Sequence, residues 1–383
     1  MFVPGGTDAI VTARTSTGRR AASLLVLVAL LAACGGQGAS PSPTPTASEP
    51  TTAESPSAAA SPSEEAAASP TFAGLPRKVR LALDWTPNTN HIGFYVAQAK
   101  GWYKDAGIEL DVLPYGTVAP EAVLAAHQAE CGISFQDALT FAVAAGGRIT
   151  SVMAILQHTA QDIAVLASSG IERPKQLDGK VYAGFGYPNE VPTLQAVIQH
   201  DGGKGDFDVV TLDTAAYDAL YAKRADFVIT FAAWEGIEAQ ERGISLRTFA
   251  FTDYGFPDFY QVVLACDRDW LARDPDAAKA FVGATAKGFE FAATNPDDAA
   301  DILIAQNPGV FDDNPDLPRA SAAYMAAHQL LVDDAGHAGT QTLEKWHGYS
   351  GFLYDQGTLV DKDGKPLTSP PDYASLFTDD FLP

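Results

Sequence analysis

Asp84, Trp85, Asn88 and His91 fall within eight consecutive positions, and their side chains complement one another chemically. An indole offers a flat face for stacking, while a carboxylate, an amide and an imidazole offer acceptors and donors to the polar rim of a planar ring. Together they suit the grip of a flat, hydrogen-bonding guest. Each also has a plainer reading: Trp85 as core, Asn88 as a turn residue, with Asn90 capping the helix beyond. Three other runs carry related chemistry. Gln136 and Asp137 follow an apolar run and open a helix, where polar side chains and free N–H groups coincide, although Asp137 suits a simple cap equally well. Gly184-Phe185-Gly186-Tyr187-Pro188-Asn189-Glu190 places Phe185, Tyr187 and Glu190 on a turn, and no lysine follows as it would in a nucleotide-binding loop. Trp234-Glu235-Gly236 opens another helix, where Glu235 complements the helix dipole by under about 1 kcal/mol. No Ser-His-Asp or Gly-x-Ser-x-Gly arrangement stands out.

For these residues to meet, loops at the ends of strands must converge. Residues 80–84 alternate as a short strand, 86–90 are turn residues, and Ile92, Val96, Ala99 and Tyr103 recur at helical spacing. Gly101 loosens the helix, Gly107 ends it, and 108–113 alternate again, completing a βαβ unit. In such units ligands sit beyond the carboxyl ends of the strands. Alternation continues with a helix at 121–127, a strand at 131–135, a helix at 138–145 and strands at 149–157 and 163–166. Turn residues at 169–175 predict a first crossover. Strands at 181–185, 208–212, 227–230 and 245–249 then alternate with helices at 192–200, 215–223 and 234–242. A return crossover at 252–257 leads to a strand at 261–266 and helices at 276–294, 296–306, 316–332 and 343–356, two of them opened by Asp274-Pro275 and Asn295-Pro296. The expectation is an α/β chain of two lobes joined by two crossovers with a cleft between them. Lobe I takes 76–168 and 258–383, and lobe II takes 169–257.

Six stretches carry a specific likeness: LDWTPNTNHIGFYVAQAKGWYKDAGIEL, GISFQDALTFAVAAG, ILQH, GKVYAGFGYPNEVPTLQAVI, WEGIEAQERGI and GFEFAATNPDDAADIL. In register, from 78 to about 356, they resemble the thiamine-pyrimidine-precursor binding proteins, a branch of the substrate-binding proteins of ABC importers. The resemblance implies the type II periplasmic-binding fold. It implies an aminopyrimidine or hydroxymethylpyrimidine ligand and a permease and ATPase as partners. It adds His158, in the recurring Ile155-Leu156-Gln157-His158, as a contact, and gives Glu235 the role of accepting from an exocyclic amine and a ring N–H. Closure would bring Trp85, Asn88 and His91 against Tyr187, Glu190, Trp234 and Glu235. Where the family often has Trp-Gly-Ser, this chain has Phe185-Gly186-Tyr187. Alternatives are a riboflavin precursor, another heteroaromatic or a sulfonate, the last disfavoured because no Lys or Arg sits on a predicted cleft loop.

A related pyrimidine synthase shares the fold, and that resemblance implies a lysine just beyond the equivalent of Gly132 and a cysteine-rich iron motif. This chain has Ile133-Ser134-Phe135 there and three cysteines in all, so no enzyme, no cofactor and no metal are expected.

Arg14, Arg19 and Arg20 precede an apolar run at 24–31 that ends in Leu31-Ala32-Ala33-Cys34. The run is short of the roughly 20 residues a membrane span takes. It reads as a lipoprotein signal over 1–33, with Cys34 lipidated and the protein anchored to the outer face of the cell membrane. Residues 34–75, built almost wholly of Pro, Ser, Thr, Ala, Gly and Glu, read as a disordered tether. The chain carries 25 basic and 47 acidic residues, a net −22, which argues against nucleic acid as a partner. A monomer is expected. The family fold would set Cys131 and Cys266 on adjacent antiparallel strands, open to a disulfide, although two buried thiols are the simpler expectation.

Overall fold

A computed structural model describes residues 74–383. The expected signal at 1–33, Cys34 and all but the last two residues of the 34–75 tether lie outside the described residues. The first lobe opens with β1 (Arg77–Ala82), α1 (Ile92–Ala99), α2 (Trp102–Asp105), β2 (Ile108–Leu113), α3 (Pro120–Ala125), β3 (Cys131–Ser134), α4 (Gln136–Ala144) and β4 (Ile149–Ala154). The second holds β5 (Gln161–Leu166), β6 (Val181–Gly184), α5 (Glu190–His200), β7 (Asp208–Thr211), α6 (Ala215–Tyr221), β8 (Phe227–Phe231), α7 (Glu235–Glu241) and β9 (Leu246–Ala250). The chain returns through β10 (Val263–Asp267) and ends in α8 (Arg268–Arg273), α9 (Pro275–Thr294), α10 (Pro296–Gln306), α11 (Asp316–Ala327) and α12 (Leu343–Asp355).

Both sheets follow one plan. The first runs β2-β1-β3-β10-β4 and the second β7-β6-β8-β5-β9. In each, four strands run the same way, and the one antiparallel strand arrives from the other lobe: β10 between β3 and β4, β5 between β8 and β9. The two-lobed α/β expectation holds, with a shift in where the lobes part. β5, expected in lobe I, pairs with β8 from Gln161↔Phe231 to Val165↔Phe227, so the first crossover lies at 155–160 rather than 169–175. Residues 155–160 contain no glycine or proline and pass as strand. The turn-rich 169–175 is a bend within the second lobe, where Ile171 and Leu177 are core. The two crossovers run side by side, Ile155 N–H and Leu156 N–H both donating to Val262 O at 2.9 and 3.1 Å.

The first lobe's core forms where α1 packs on α9. Gly93 and Gly288 meet backbone to backbone, and a methyl on Gly288 would collide with the Gly93 carbonyl. Phe94 stands edge-on to Phe289 at 5.4 Å between ring centres. Burying each such ring contributes about 1.5–3 kcal/mol. Asp274 caps α9 by accepting from Ala277 N, with Pro275 in the first turn, as its sequence predicts. Cys131 and Cys266 face each other in the β3–β10 register and are joined by a disulfide, which resolves the alternative left open above.

Candidate functional site

The carboxyl ends of β1, β2 and β3 face those of β6 and β8 across the gap between the lobes. On the first-lobe side the loop after β1 is held by its own polar residues. His91 is fully buried; its Nδ1 accepts from Asn88 N–H at 3.2 Å, so the proton sits on Nε2, which donates to Asp84 Oδ1 at 2.8 Å. Asn88 is buried as well. Its Oδ1 accepts from Asn90 N–H at 2.8 Å and its amide donates to Thr86 O at 3.1 Å, so Asn88, not Asn90, is the cap. His91 and Asn88 therefore shape the loop from within. They leave Trp85 outside, 38% exposed, leaning on Tyr115 with ring centres 5.4 Å apart.

Gln136 is also turned inward. It donates to the carbonyls of Lys345 and Trp346 and accepts from Tyr260 N–H, and with no exposed surface it clamps α12 and the returning chain rather than a ligand. Its neighbour Asp137 stays half-buried at the gap. Burial, with the charge of Glu190 added, lifts the Asp137 carboxyl to about 6 against the pull of nearby N–H groups and Tyr349. Glu121, bonded to the Ser134 hydroxyl, is raised by burial too, and by the charges of Asp137 and Asp84.

On the second-lobe side Glu190 is buried and accepts from Phe185 N–H and Gly186 N–H, both at 3.1 Å. The donors that an anion would need on this turn are taken by the protein's own carboxylate, so Glu190 holds the turn. Gly184 is required there, because a Cβ would strike Tyr182 and Glu190, and Gly186 sits at φ +90°. The turn displays Phe185 stacked on Tyr187, 6.2 Å apart and 11° from parallel, with Tyr187 65% exposed. Burial, then the charges of Asp213, Glu190 and first-lobe Asp137, raise the Tyr187 phenol, which sets it close to the opposite wall. Trp234 packs on the first lobe's main core cluster. Glu235, at the start of α7, accepts a single long bond from Phe231 N–H at 3.3 Å, and burial pushes it to about 7. His158 lies apart, on the crossover, with its Nδ1 2.7 Å from Asp258 Oδ2.

Across the lobes, Tyr187 lies within reach of the charges of Asp137 and Tyr115, with Phe185 stacked beside it and Trp85 leaning on Tyr115, while Asp84, Asn88, His91, Gln136, His158 and Glu190 are each engaged by the protein's own groups. Sequence reasoning missed Tyr115, Glu121, Phe135 and Phe231. Phe135, just past β3, and Phe231, the last residue of β8, meet edge to face across the lobes at 6.4 Å. Tyr115 follows β2, so the rule about carboxyl ends of parallel strands points to it; Glu121, on a helix, has no such signal. A separate hollow of about 520 Å³ lies between β2, α1 and the end of α10, outside the gap, with Tyr115 on its rim.

Two sheets of this topology, linked by paired crossovers and facing each other across a gap, define the periplasmic-binding-protein fold. Residues 88–299 match the family described as NMT1/THI5 like, and the chain belongs to that family. It is similar to a formylaminopyrimidine-binding protein of Halalkalibacterium halodurans, 24% identical over 284 residues that cover 72% of this chain and 84% of that one. It is also similar to a 4-amino-5-hydroxymethyl-2-methylpyrimidine phosphate synthase of Saccharomyces cerevisiae, 24% identical over 328 residues covering 80% and 88%. Among solved structures, the alkanesulfonate-binding protein SsuA from Xanthomonas axonopodis pv. citri bound to MOPS superposes with a TM-score of 0.58 at 16% identity, over 76% of this chain and 96% of that one. That likeness is one of fold.

Proposed function

We propose that this chain is the solute-binding component of an ABC importer and captures an aminopyrimidine of the thiamine-precursor type. Capture happens outside the cytoplasm. The mature protein is a monomer tethered by lipid on Cys34, and the loaded, closed form is handed to the permease. One observation carries the ligand class: the gap pairs aromatic faces from both lobes with acids that have few donors and no cation, Asp137 at about 6 with Ala138 N–H at 2.9 Å and Glu235 at about 7 with Phe231 N–H at 3.3 Å, and its loops carry no Lys or Arg. A flat guest with an exocyclic amine and ring N–H groups supplies those donors, and a sulfonate would add negative charge to acids already short of partners.

Similarity to the pyrimidine synthases favours a second reading, an enzyme of the same fold. It is the weaker one, because Ile133-Ser134-Phe135 after Gly132 offers no amine for a Schiff base. Calorimetry against aminopyrimidines, thiamine, flavin precursors and sulfonates tests the ligand. Glu235→Gln is expected to weaken aminopyrimidine binding by about tenfold or more. Unchanged affinity would remove Glu235 from the site, and preferred binding of a sulfonate would overturn the reading.

A further inference from the structure

α12 belongs to both lobes. Its Trp346 is buried in a first-lobe cluster, and its Ser350 hydroxyl meets Thr140 of α4 at 2.9 Å. One face further round, Tyr349 and Leu353 are buried in the second lobe's main cluster, the Tyr349 ring 4.2 Å from that of Phe259 and 5.6 Å from that of Phe256. The Tyr349 hydroxyl is only 1% exposed with its residue, and it accepts from Asn189 Nδ2 at 3.0 Å. Asn189 immediately precedes α5 and ends the turn that displays Phe185 and Tyr187. α4 of the first lobe is bonded to α12 through Gln136 and Thr140, which carries the Asp137 carboxyl alongside, so that Asp137 and the Thr193 hydroxyl of α5 are the remaining polar groups around the phenol. A phenol has one proton to give and lone pairs to receive, so this one is placed to receive from lobe II and give to lobe I at once.

We propose that Tyr349 is a positioning residue that couples the guest's hold on Asp137 to the angle between the lobes, by linking Asn189 N–H, its own O–H and the Asp137 carboxylate in one chain. The coupling part rests on the reading that Asp137 touches the guest. When N–H donors of a guest keep Asp137 ionised, the phenol proton is drawn to the carboxylate. The phenol oxygen then becomes a better acceptor for Asn189, which favours the closed arrangement. Neither residue was singled out for this in the sequence, because α12 lies more than 150 positions from the turn it holds.

The test uses the mature full-length chain carrying Tyr349→Phe, which keeps the ring between Phe256 and Phe259 and removes only the hydroxyl. Spin labels at the exposed positions Lys104 and Lys223 read the distance between the lobes. The expected result is a broader distance distribution without ligand and about tenfold weaker aminopyrimidine binding. The pH midpoint of binding should also move upward, since Asp137 loses a donor while Glu121, Glu190 and Tyr187, the other titratable groups around it, are untouched. Asn189→Ala should broaden the distances equally and leave the pH midpoint in place. Distances and affinity like those of the unsubstituted chain would overturn the proposal, as would a midpoint that stays put in Tyr349→Phe. If the unsubstituted chain binds no aminopyrimidine, the ligand reading fails, and the ligand-free distances still decide the role of Tyr349.

Discussion

The crossovers and the gap both hold half-buried acids, and the two regions treat them in opposite ways. Asp258, between the crossovers, is surrounded by donors: His158 Nδ1 at 2.7 Å, Lys345 Nζ at 2.6 Å and Thr159 N–H at 3.1 Å. Burial alone would raise it, yet those bonds together hold it at about 2. In the gap, burial wins, and Asp137 and Glu235 rise to about 6 and 7. The chemistry is the same carboxyl in each place, so the difference is the supply of donors. Cations reach the acid between the crossovers, and none reaches those in the gap.

Three measurements bear on that contrast. The largest effect is expected from Asp258→Ala, which strands Lys345 and His158 between the crossovers. With the group about one-third exposed, the cost should be about 2 kcal/mol in urea unfolding at pH 7. Because the folded pKa is depressed, this contribution is present above about pH 4 and fades as pH falls towards 2. A neutral substitution at pH 7 would break the comparison. Next, Glu235→Gln in the ligand-free protein should act with the opposite sign. Folding favours the protonated form here, so stability is full below about pH 4.5 and is lost as pH rises through about 7. Removing the charge should raise the melting temperature at pH 8 by about 2–4 °C, roughly 1–2 kcal/mol after allowing for partial exposure, and change little at pH 4. A lower melting temperature at pH 8 would mean the acid is already paired. The smallest effect on stability belongs to Trp85→Ala, within about 0.5 kcal/mol because the indole is on the surface. Its aminopyrimidine affinity should still fall by roughly tenfold, as expected for a stacking platform. Equal affinity would shift that role to Tyr115.

Trp85, Phe185 and Tyr187 were legible because they follow strands β1 and β6 whose alternation is plain, whereas Tyr115, Phe135 and Phe231, at the ends of other strands, were passed over. Most of the polar residues misled for one reason. Asn88, His91 and Glu190 look like ligand groups on a loop, but a loop leaving a buried strand carries its own unpaired N–H and C=O groups, and the nearest polar side chains satisfy those first, while Gln136 is taken by α12 and Tyr260, far away in sequence. The same local demand explains why Asp137 remains: its near partners are few, and Tyr349 reaches it from a helix distant in sequence.

Local order along the chain determined the strands, most helices, the caps at Asp274 and the alternation that makes two α/β lobes, because each depends on neighbours within a few residues. Tertiary contact alone decided that β5 crosses to the second sheet, that Cys131 meets Cys266, and that α12 joins both lobes through Trp346 and Tyr349. It also decided which acids end up with donors. Burial and pairing depend on groups far apart in the chain, and no spacing of residue types encodes how many of them arrive at one carboxylate.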